Sequence, residues 1–236
     1  MDQDNIYNQL KKMLASAGGK YNILEEQIDL ELQVEFFELV NKLMKEKDNT
    51  EYDLPDEEKL YHSDIDGEEK KRILAKLSNY KNPEAYRIIE RFIDSNNKTL
   101  NSWAILALQH SRISLETHLL DEQQVFISTG LGGREEKLRY FIVCKLQNVM
   151  EISVAQKKLV QTEFEVSFKA YDSVVEKISF FDNYFSVLGL IPIDKSINNV
   201  IESAIKEANN YGGFINEKFL VTNVKILDSE EIKTYF

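Results

Sequence analysis

The sequence predicts an α+β protein in which a helical part precedes a part built from both strands and helices. Over the first 120 residues, apolar side chains recur at intervals of three and four, as on one face of a helix. From about residue 124 the apolar runs become short and are bounded by turn residues, which is typical of strands. We therefore expect two domains, an acidic helical region over residues 1–121 and an α+β domain over residues 122–236.

Helices are expected throughout the first half, interrupted by a long acidic loop over residues 45–69 that has few apolar anchors. Asn82 can cap one of them, and Pro83 suits its first turn because no backbone N–H is needed there. The helix around Trp103 is apolar nearly all round, so we expect it to be central. The expected spans are residues 6–14, 25–47, 73–77, 83–92 and 99–110, with another helix beginning at Ser114.

Residues 82–120 resemble one unit of a HEAT-type helical repeat. Asn82 and Pro83 open a first helix, and the Ala- and Leu-rich residues 103–110 make a second. The Arg that usually stands near the start of the second helix is missing, since Leu100 and Asn101 occupy that place. The resemblance implies a compact helical bundle with an interaction face rather than a long solenoid.

The second half is expected to run strand, strand, helix, strand, strand, helix, strand. Asp182 and Asn183 suit a two-residue hairpin turn, and Gly212 and Gly213 end the second helix. The expected spans are residues 125–127, 138–146, 153–170, 174–181, 184–191, 197–208 and 219–226, followed by a short helix.

Without its first strand, this order resembles the split β-α-β arrangement of ferredoxin-like domains, in which both helices pack on one sheet face. The resemblance implies a ferredoxin-like antiparallel sheet domain with an extra N-terminal strand, placed after the HEAT-like helical region. It implies no activity, because many unrelated functions share this fold.

Composition limits the classes of partner. The formal net charge of −11 argues against non-specific binding to nucleic acid, whose phosphates need a basic surface. Cys144 is the single cysteine, so no internal disulfide forms. Residues 1–4 lack the features of a signal peptide, and the longest apolar run, near residues 184–193, is too short to span a membrane. We expect a cytoplasmic protein with no membrane and no nucleic-acid partner.

The strongest candidate site is the loop that contains Gly130, Gly132, Gly133 and Arg134. Clustered glycines can let backbone N–H groups reach an anion, and Arg134 would add positive charge. Phosphate-binding loops lead into a helix, however, whereas here two glutamates and then a strand follow. We favour a structural hairpin loop and keep these four residues as candidate ligand-binding residues.

Residues 62–67 resemble part of a calcium loop, but Ile73 stands where a bidentate Glu is required. Asp66 as a helix N-cap, with Glu69 three residues later, explains the same pattern without a metal. His62, His110 and His118 are not spaced as a metal-binding pair, and we expect no metal site. His110 is expected near the end of its own helix, where positive charge suits the helix dipole.

Two further features are interpreted as structural. Cys144 lies within an apolar strand, where cysteines are usually inert. Phe180, Phe181, Tyr184 and Phe185 cluster on the expected hairpin. We interpret them as sheet core, or as buried against the helical half, rather than as an RNA-binding surface, because no RNA-recognition motif accompanies them and the domain is net acidic.

These observations favour a non-catalytic protein-interaction or adaptor module of the cytoplasm, with a protein as its partner and no cofactor. A first alternative is a small anionic ligand-binding protein or an enzyme that uses the loop over residues 130–134 at the domain junction. A second alternative is an acidic antagonist that masks a basic protein.

Overall fold

The computed structural model describes residues 21–45, 54, 57–95, 97–120, 124–147 and 151–235. The chain forms two compact units, one made mainly of Ile28–Phe126 and one made of Ile23–Gln27 with Ile127–Phe236. The first, the helical unit, and the second, the sheet unit, together confirm the α+β class. The helix expected over residues 6–14 lies outside the described residues.

Five described helices belong to the helical unit. A short strand, β1, pairs with β2 as a two-stranded ribbon, and the division between the units runs through both strands. In chain order the elements are β1 (Tyr21–Ile23), α1 (Leu30–Lys45), α2 (Glu58–Tyr61), α3 (Gly67–Ser78), α4 (Pro83–Asp94), α5 (Asn101–Leu120) and β2 (Val125–Ile127).

Trp103 on α5 is the centre of the helical unit. Its side chain is 2% exposed, its ring meets that of Phe36 edge-on at 5.2 Å, and its indole N–H donates to the Lys71 carbonyl at 3.0 Å. The Asn82 side chain accepts from the Glu84 N–H at 2.8 Å, which caps α4 as the sequence predicts. The expectation of a central, largely covered helix is therefore confirmed.

Three sequence-based boundaries in this unit are wrong. The helix expected from residue 25 begins at Leu30, because the preceding residues include β1 and the segment that belongs to the sheet unit. The acidic loop contains the one-turn helix α2, whose Leu60 is 1% exposed and gives it a buried anchor. The helix expected to stop at residue 110 continues to Leu120, because no Gly or Pro interrupts it.

The sheet unit has the order β-α-β-β-α-β after a short leading strand, β3 (Gly133–Arg134). The extra N-terminal strand that the sequence predicts over residues 125–127 is β2, which pairs with β1 instead of joining this sheet. All of its strand pairs are antiparallel, and β4 (Lys137–Leu146) lies between β6 (Tyr184–Pro192) on one side and β3 and β7 (Ile215–Thr222) on the other. The elements are β3 (Gly133–Arg134), β4 (Lys137–Leu146), α6 (Val154–Ala170), β5 (Val174–Phe180), β6 (Tyr184–Pro192), α7 (Ile197–Asn209), β7 (Ile215–Thr222) and α8 (Ser229–Lys233).

Helices α6 and α7 pack on the same face of this sheet. Val160, Phe164 and Phe168 on α6 form one core with the Ile142 and Phe185 side chains of β4 and β6, and the Phe164 and Phe185 rings meet edge-on at 5.3 Å. The Ser153 and Gln156 side chains form a reciprocal capping box that starts α6. The likeness of the sheet unit to a ferredoxin-like domain, and of residues 82–120 to a HEAT-type unit, stays a prediction from the sequence.

The last strand begins at Ile215, four residues before the sequence-based expectation. Gly212 and Gly213 have φ of 148° and 57°, and they turn the chain sharply after α7. The Asn209 side chain then holds both the N–H and the carbonyl of Ile215, at 2.9 and 2.8 Å. Among the described helices, none has the length and apolar content needed to cross a membrane.

Candidate functional site

The glycine loop is buried and packs against other backbone of the sheet unit. A methyl group on Gly130 would collide with the carbonyl of Val224. Gly132 has φ of 66°, and a methyl group there would collide with the carbonyl oxygens of Glu25 and Glu26. The glycines are therefore needed for close approach of backbone segments, whatever else the loop does.

Backbone N–H groups of this loop have protein partners. The Leu131 N–H donates to the Asn223 carbonyl at 3.0 Å, and the Gly132 N–H donates to the Thr129 carbonyl at 3.2 Å. Amides that are bonded in this way are not presented together to an external anion.

Gly133 and Arg134 form β3 and pair with Leu138 and Lys137 of β4. The two residues between them close the hairpin, and Glu135 takes a φ of 55° there. The structure therefore has a hairpin here, but its turn is formed by Glu135 and Glu136 and not, as the sequence analysis favoured, by the glycines, which precede or lie within β3. Anion binding by Arg134, whose side chain is exposed, stays a prediction.

The other sequence candidates have structural explanations. The Asp66 carboxylate accepts from the Glu69 N–H at 2.7 Å, so residues 62–67 start helix α3 as predicted. Cys144 is fully buried, and burial raises the pKa of its thiol. Burial likewise raises the pKa of Tyr140 to about 12. Within the described residues, no group of three His, Cys, Asp or Glu side chains could hold a metal ion.

His110 lies in the middle of α5 rather than at its end, which corrects the sequence-based expectation. Its Nδ1 lies 3.1 Å from the carbonyl oxygen and 3.2 Å from the hydroxyl of Ser78, the last residue of α3. The histidine thus lies at the C-terminal end of a neighbouring helix. Burial lowers its pKa, and the contact with the Ser78 backbone opposes that shift.

The two faces of the sheet differ in what covers them. Side chains alternate along a strand, so Ile142 of β4 faces α6 and α7 while its neighbours Phe141 and Val143 face away. We call this second side the distal face. At its centre, Phe141 and Val143 form a smaller buried cluster with Leu131 and Ile232.

An aromatic pair marks one end of the distal face. The rings of Phe181 and Tyr184 are stacked, with centroids 4.5 Å apart and planes inclined by 16°. Tyr184 packs against the distal-face cluster, whereas Phe181 is 43% exposed. A ring that is supported on one side and open on the other offers a flat surface on which a planar ligand can stack.

The structure corrects the interpretation of the hairpin aromatics as uniformly core. Phe180 and Phe185 do pack with the helix-covered core, where their ring centroids are 6.0 Å apart. Phe181 and Tyr184 lie on the distal face. Strict alternation along the two strands could have revealed this split. Phe180 and Phe181 are neighbours in the chain, as are Tyr184 and Phe185, and neighbouring residues of a strand face opposite sides of the sheet.

Three lysines lie on the distal face, and one of them, Lys145, is next to the aromatic pair. Lys145 is directly opposite Tyr184 in the β4–β6 register, and Lys177 is opposite Leu188 in the β5–β6 register. Lys218 precedes Phe219, which faces the helices, so alternation places Lys218 on the distal side. Basic side chains beside exposed rings are the combination that single-stranded nucleic acids require.

Arg139 of β4 also lies on the distal face and forms an ion pair with Glu176. The Arg139 guanidinium donates to both carboxylate oxygens of Glu176, at 2.6 and 3.1 Å, and also to the Leu131 carbonyl at 2.8 Å. These bonds reach across β6, which lies between β4 and β5. We therefore place Arg139 in the framework of the face rather than in the candidate site.

Comparisons with known proteins give structural matches only. No family model and no curated protein matches this chain. One matched structure is a putative transposase from Deinococcus radiodurans R1, with a TM-score of 0.38 and 13% identity over 44% of this chain and 91% of that protein. Another is a REP-associated tyrosine transposase bound to a REP hairpin, with a TM-score of 0.34 and 7% identity over 43% of this chain and 63% of that protein.

These matches correct two expectations. Both descriptions name a transposase, which conflicts with a non-catalytic cytoplasmic adaptor, and one of the two proteins holds a hairpin, which conflicts with the exclusion of nucleic acid. The exclusion rested on the net charge of the whole chain. The average charge of the whole chain does not describe the charge of a single face.

Proposed function

We propose that the sheet unit binds single-stranded nucleic acid at the distal face, with Phe181 as its stacking residue. The stacking of the exposed Phe181 ring on the half-buried Tyr184 ring is the observation that carries this proposal. An unpaired base placed on the outer side of Phe181 would extend a stack that already exists. Burying the exposed side of this ring then contributes to binding, because the two rings are already held in a stack.

Charge supports the same ligand. Lys177 and Lys218, both exposed, supply positive charge for phosphate groups on either side of a stacked base. The net charge of −11 opposes long-range attraction, so we propose that stacking supplies most of the affinity and that the phosphate contacts are few. Duplexes are disfavoured because their bases are already stacked on one another. A cytoplasmic location is part of this proposal.

The proposal is tested by fluorescence anisotropy with labelled oligothymidylate and oligouridylate of about twelve nucleotides, a length within the range that single domains cover. The two probes separate DNA from RNA preference, and a blunt duplex of the same length tests strandedness. Phe181→Ala is expected to weaken binding by about 5- to 150-fold, the equivalent of one lost base stack.

Tyr211→Ala is the matched control, since Tyr211 is 68% exposed in the same unit but follows α7 rather than lying on the distal face. It should bind like the unsubstituted protein. Two results would contradict the proposal: no saturable binding of either single strand, or equal affinities for Phe181→Ala and Tyr211→Ala.

A further inference from the structure

Residues 225–235 cover the apolar centre of the distal face. Ile232 of α8 is 4% exposed and packs with Phe141 and Val143 of β4. Leu227 is half-buried against the same cluster, together with Leu220 of β7. The contact between this segment and the sheet is therefore mainly apolar, and it rests on two aliphatic side chains.

The polar bonds of this segment are largely internal. The Asp228 carboxylate accepts from the N–H groups of Glu230 and Glu231, and the Glu231 side chain accepts from the Asp228 N–H, which forms a capping box. Lys225 pairs with Glu231, and Lys233 pairs with Glu230 at 2.7 Å. These bonds lie within residues 225–235 and do not tie the segment to the sheet. Release of the segment would therefore leave none of their donors and acceptors without a partner.

One hydrogen bond links the segment to the candidate site. The hydroxyl groups of Tyr184 and Ser229 are 3.4 Å apart, so the supporting ring of the aromatic pair also contacts α8. The segment carries two lysines against three carboxylates, Asp228, Glu230 and Glu231. Its carboxylates would repel the phosphates of a strand that crosses the distal face at this place.

We infer that residues 225–235 are a displaceable cover that competes with nucleic acid for the distal face. This inference rests on the proposed function, since it concerns the regulation of the same site. The fraction of molecules in which the cover is open sets the apparent affinity for the strand. By linkage, a bound strand favours the open cover to the same extent as the open cover favours the strand.

The first test weakens the cover and measures affinity. Ile232→Ala removes most of the buried anchor, and Ile226→Ala is the matched control because Ile226 is 49% exposed in the same segment. With the labelled oligothymidylate, Ile232→Ala should bind on the order of tenfold more tightly than the unsubstituted chain. Ile226→Ala should bind within about twofold of it. Circular dichroism verifies that both variants are folded.

The second test needs no ligand. A released five-residue helix is not stable alone, so amide protection in α8 reports closure of the cover. Hydrogen exchange of the Ile232, Thr234 and Tyr235 amides should be much faster than that of the β4 and β6 amides in the full chain, and Ile232→Ala should accelerate it further.

The outcomes separate the two proposals. If the unsubstituted chain binds oligothymidylate but Ile232→Ala binds no more tightly, the cover is overturned while the proposed function stands. The cover is also overturned if the α8 amides exchange only with global unfolding. If α8 exchanges early and yet neither chain binds a single strand, the segment is displaceable, but the proposed function fails and the competition with it.

Discussion

Phe180 and Phe181 are adjacent in the chain and lie on opposite faces of the same sheet. Phe180 contacts the helix-covered core through Phe185, at a centroid distance of 6.0 Å. Phe181 stacks on Tyr184 on the distal face. Two adjacent phenylalanines therefore lie in different environments. One ring packs in the core and stabilises the fold, and the other is exposed to solvent.

The first prediction uses this pair. Phe180→Ala should lower the free energy of unfolding of the sheet unit by about 1–3 kcal/mol, because the substitution removes the contacts that this half-buried ring makes with the core. Phe181→Ala should change it by about 0.5 kcal/mol or less, since its ring is 43% exposed. Urea-dependent hydrogen exchange of the β4 and β6 amides measures both. An equal loss of stability in the two variants would contradict the assignment of Phe181 to a binding surface.

The second prediction concerns the lysines. Replacing Lys177 and Lys218 together with Gln should reduce the salt dependence of oligothymidylate binding, because each phosphate contact on a single strand contributes about 0.7 to the log–log slope. The expected decrease in slope is about 1.4. Anisotropy titrations between 50 and 200 mM salt measure it.

Lys206→Gln on α7 is the control for this experiment, since α7 packs on the opposite face of the sheet. The slope should not change in that variant. If Lys206→Gln lowers the slope as much as a distal-face substitution does, the attraction is general rather than local to the distal face.

Much of the fold could be predicted from the sequence, because local signals were strong where they were needed. Asn82 with Pro83 marks the start of α4, and Gly212 with Gly213 marks the end of α7. The start of β7 was misplaced, because the Asn209 side chain that fixes Ile215 acts across a turn with no sequence signature of its own.

The candidate site could be predicted only in part. The glycine cluster attracted attention as a candidate ligand site, but the partners that require Gly130 and Gly132 are backbone carbonyls far away in sequence, at Val224 and Glu25. Composition identified the aromatic hairpin. It did not show that Phe181 is exposed, because exposure depends on what the rest of the chain leaves uncovered.

The third prediction separates two reasons for glycine in the sheet unit. Gly132 and Gly213 have similar φ, 66° and 57°, but a methyl group would collide with backbone only at Gly132. Gly213→Ala should therefore cost about 1–2 kcal/mol of unfolding free energy for the left-handed conformation alone. Gly132→Ala should cost clearly more, about 3 kcal/mol or above, because backbone must also move.

Hydrogen exchange of the β4 amides under urea measures both costs. Equal costs for the two variants would mean that the loop around Gly132 yields easily, and the close packing of residues 130–133 would then not be a source of stability. A cost at Gly213 greater than that at Gly132 would contradict the prediction that the backbone packed against Gly132 adds to the cost of its substitution.

The fourth prediction is a pH dependence of the helical unit. Burial lowers the pKa of His110 in the folded protein below its ordinary value of 6.5, so the unfolded chain binds the proton more tightly. Well above pH 6.5 the histidine is neutral in both states and adds no pH dependence. As pH falls below 6.5, the unfolded state gains protons first, and the unit loses stability until the folded pKa is reached. Each unit of difference between the two pKa values is worth about 1.4 kcal/mol.

Trp103, the single tryptophan, reports this transition, since it is buried at the centre of the helical unit. Urea unfolding followed by its fluorescence at pH 7.5 and pH 5 should show a loss of stability that is smaller in His110→Gln. His118→Gln serves as the control because His118 is exposed on the same helix, and it should behave like the unsubstituted protein. A gain in stability on acidification that disappears in His110→Gln would show that the Ser78 contact outweighs burial, which reverses the sign argued for this histidine.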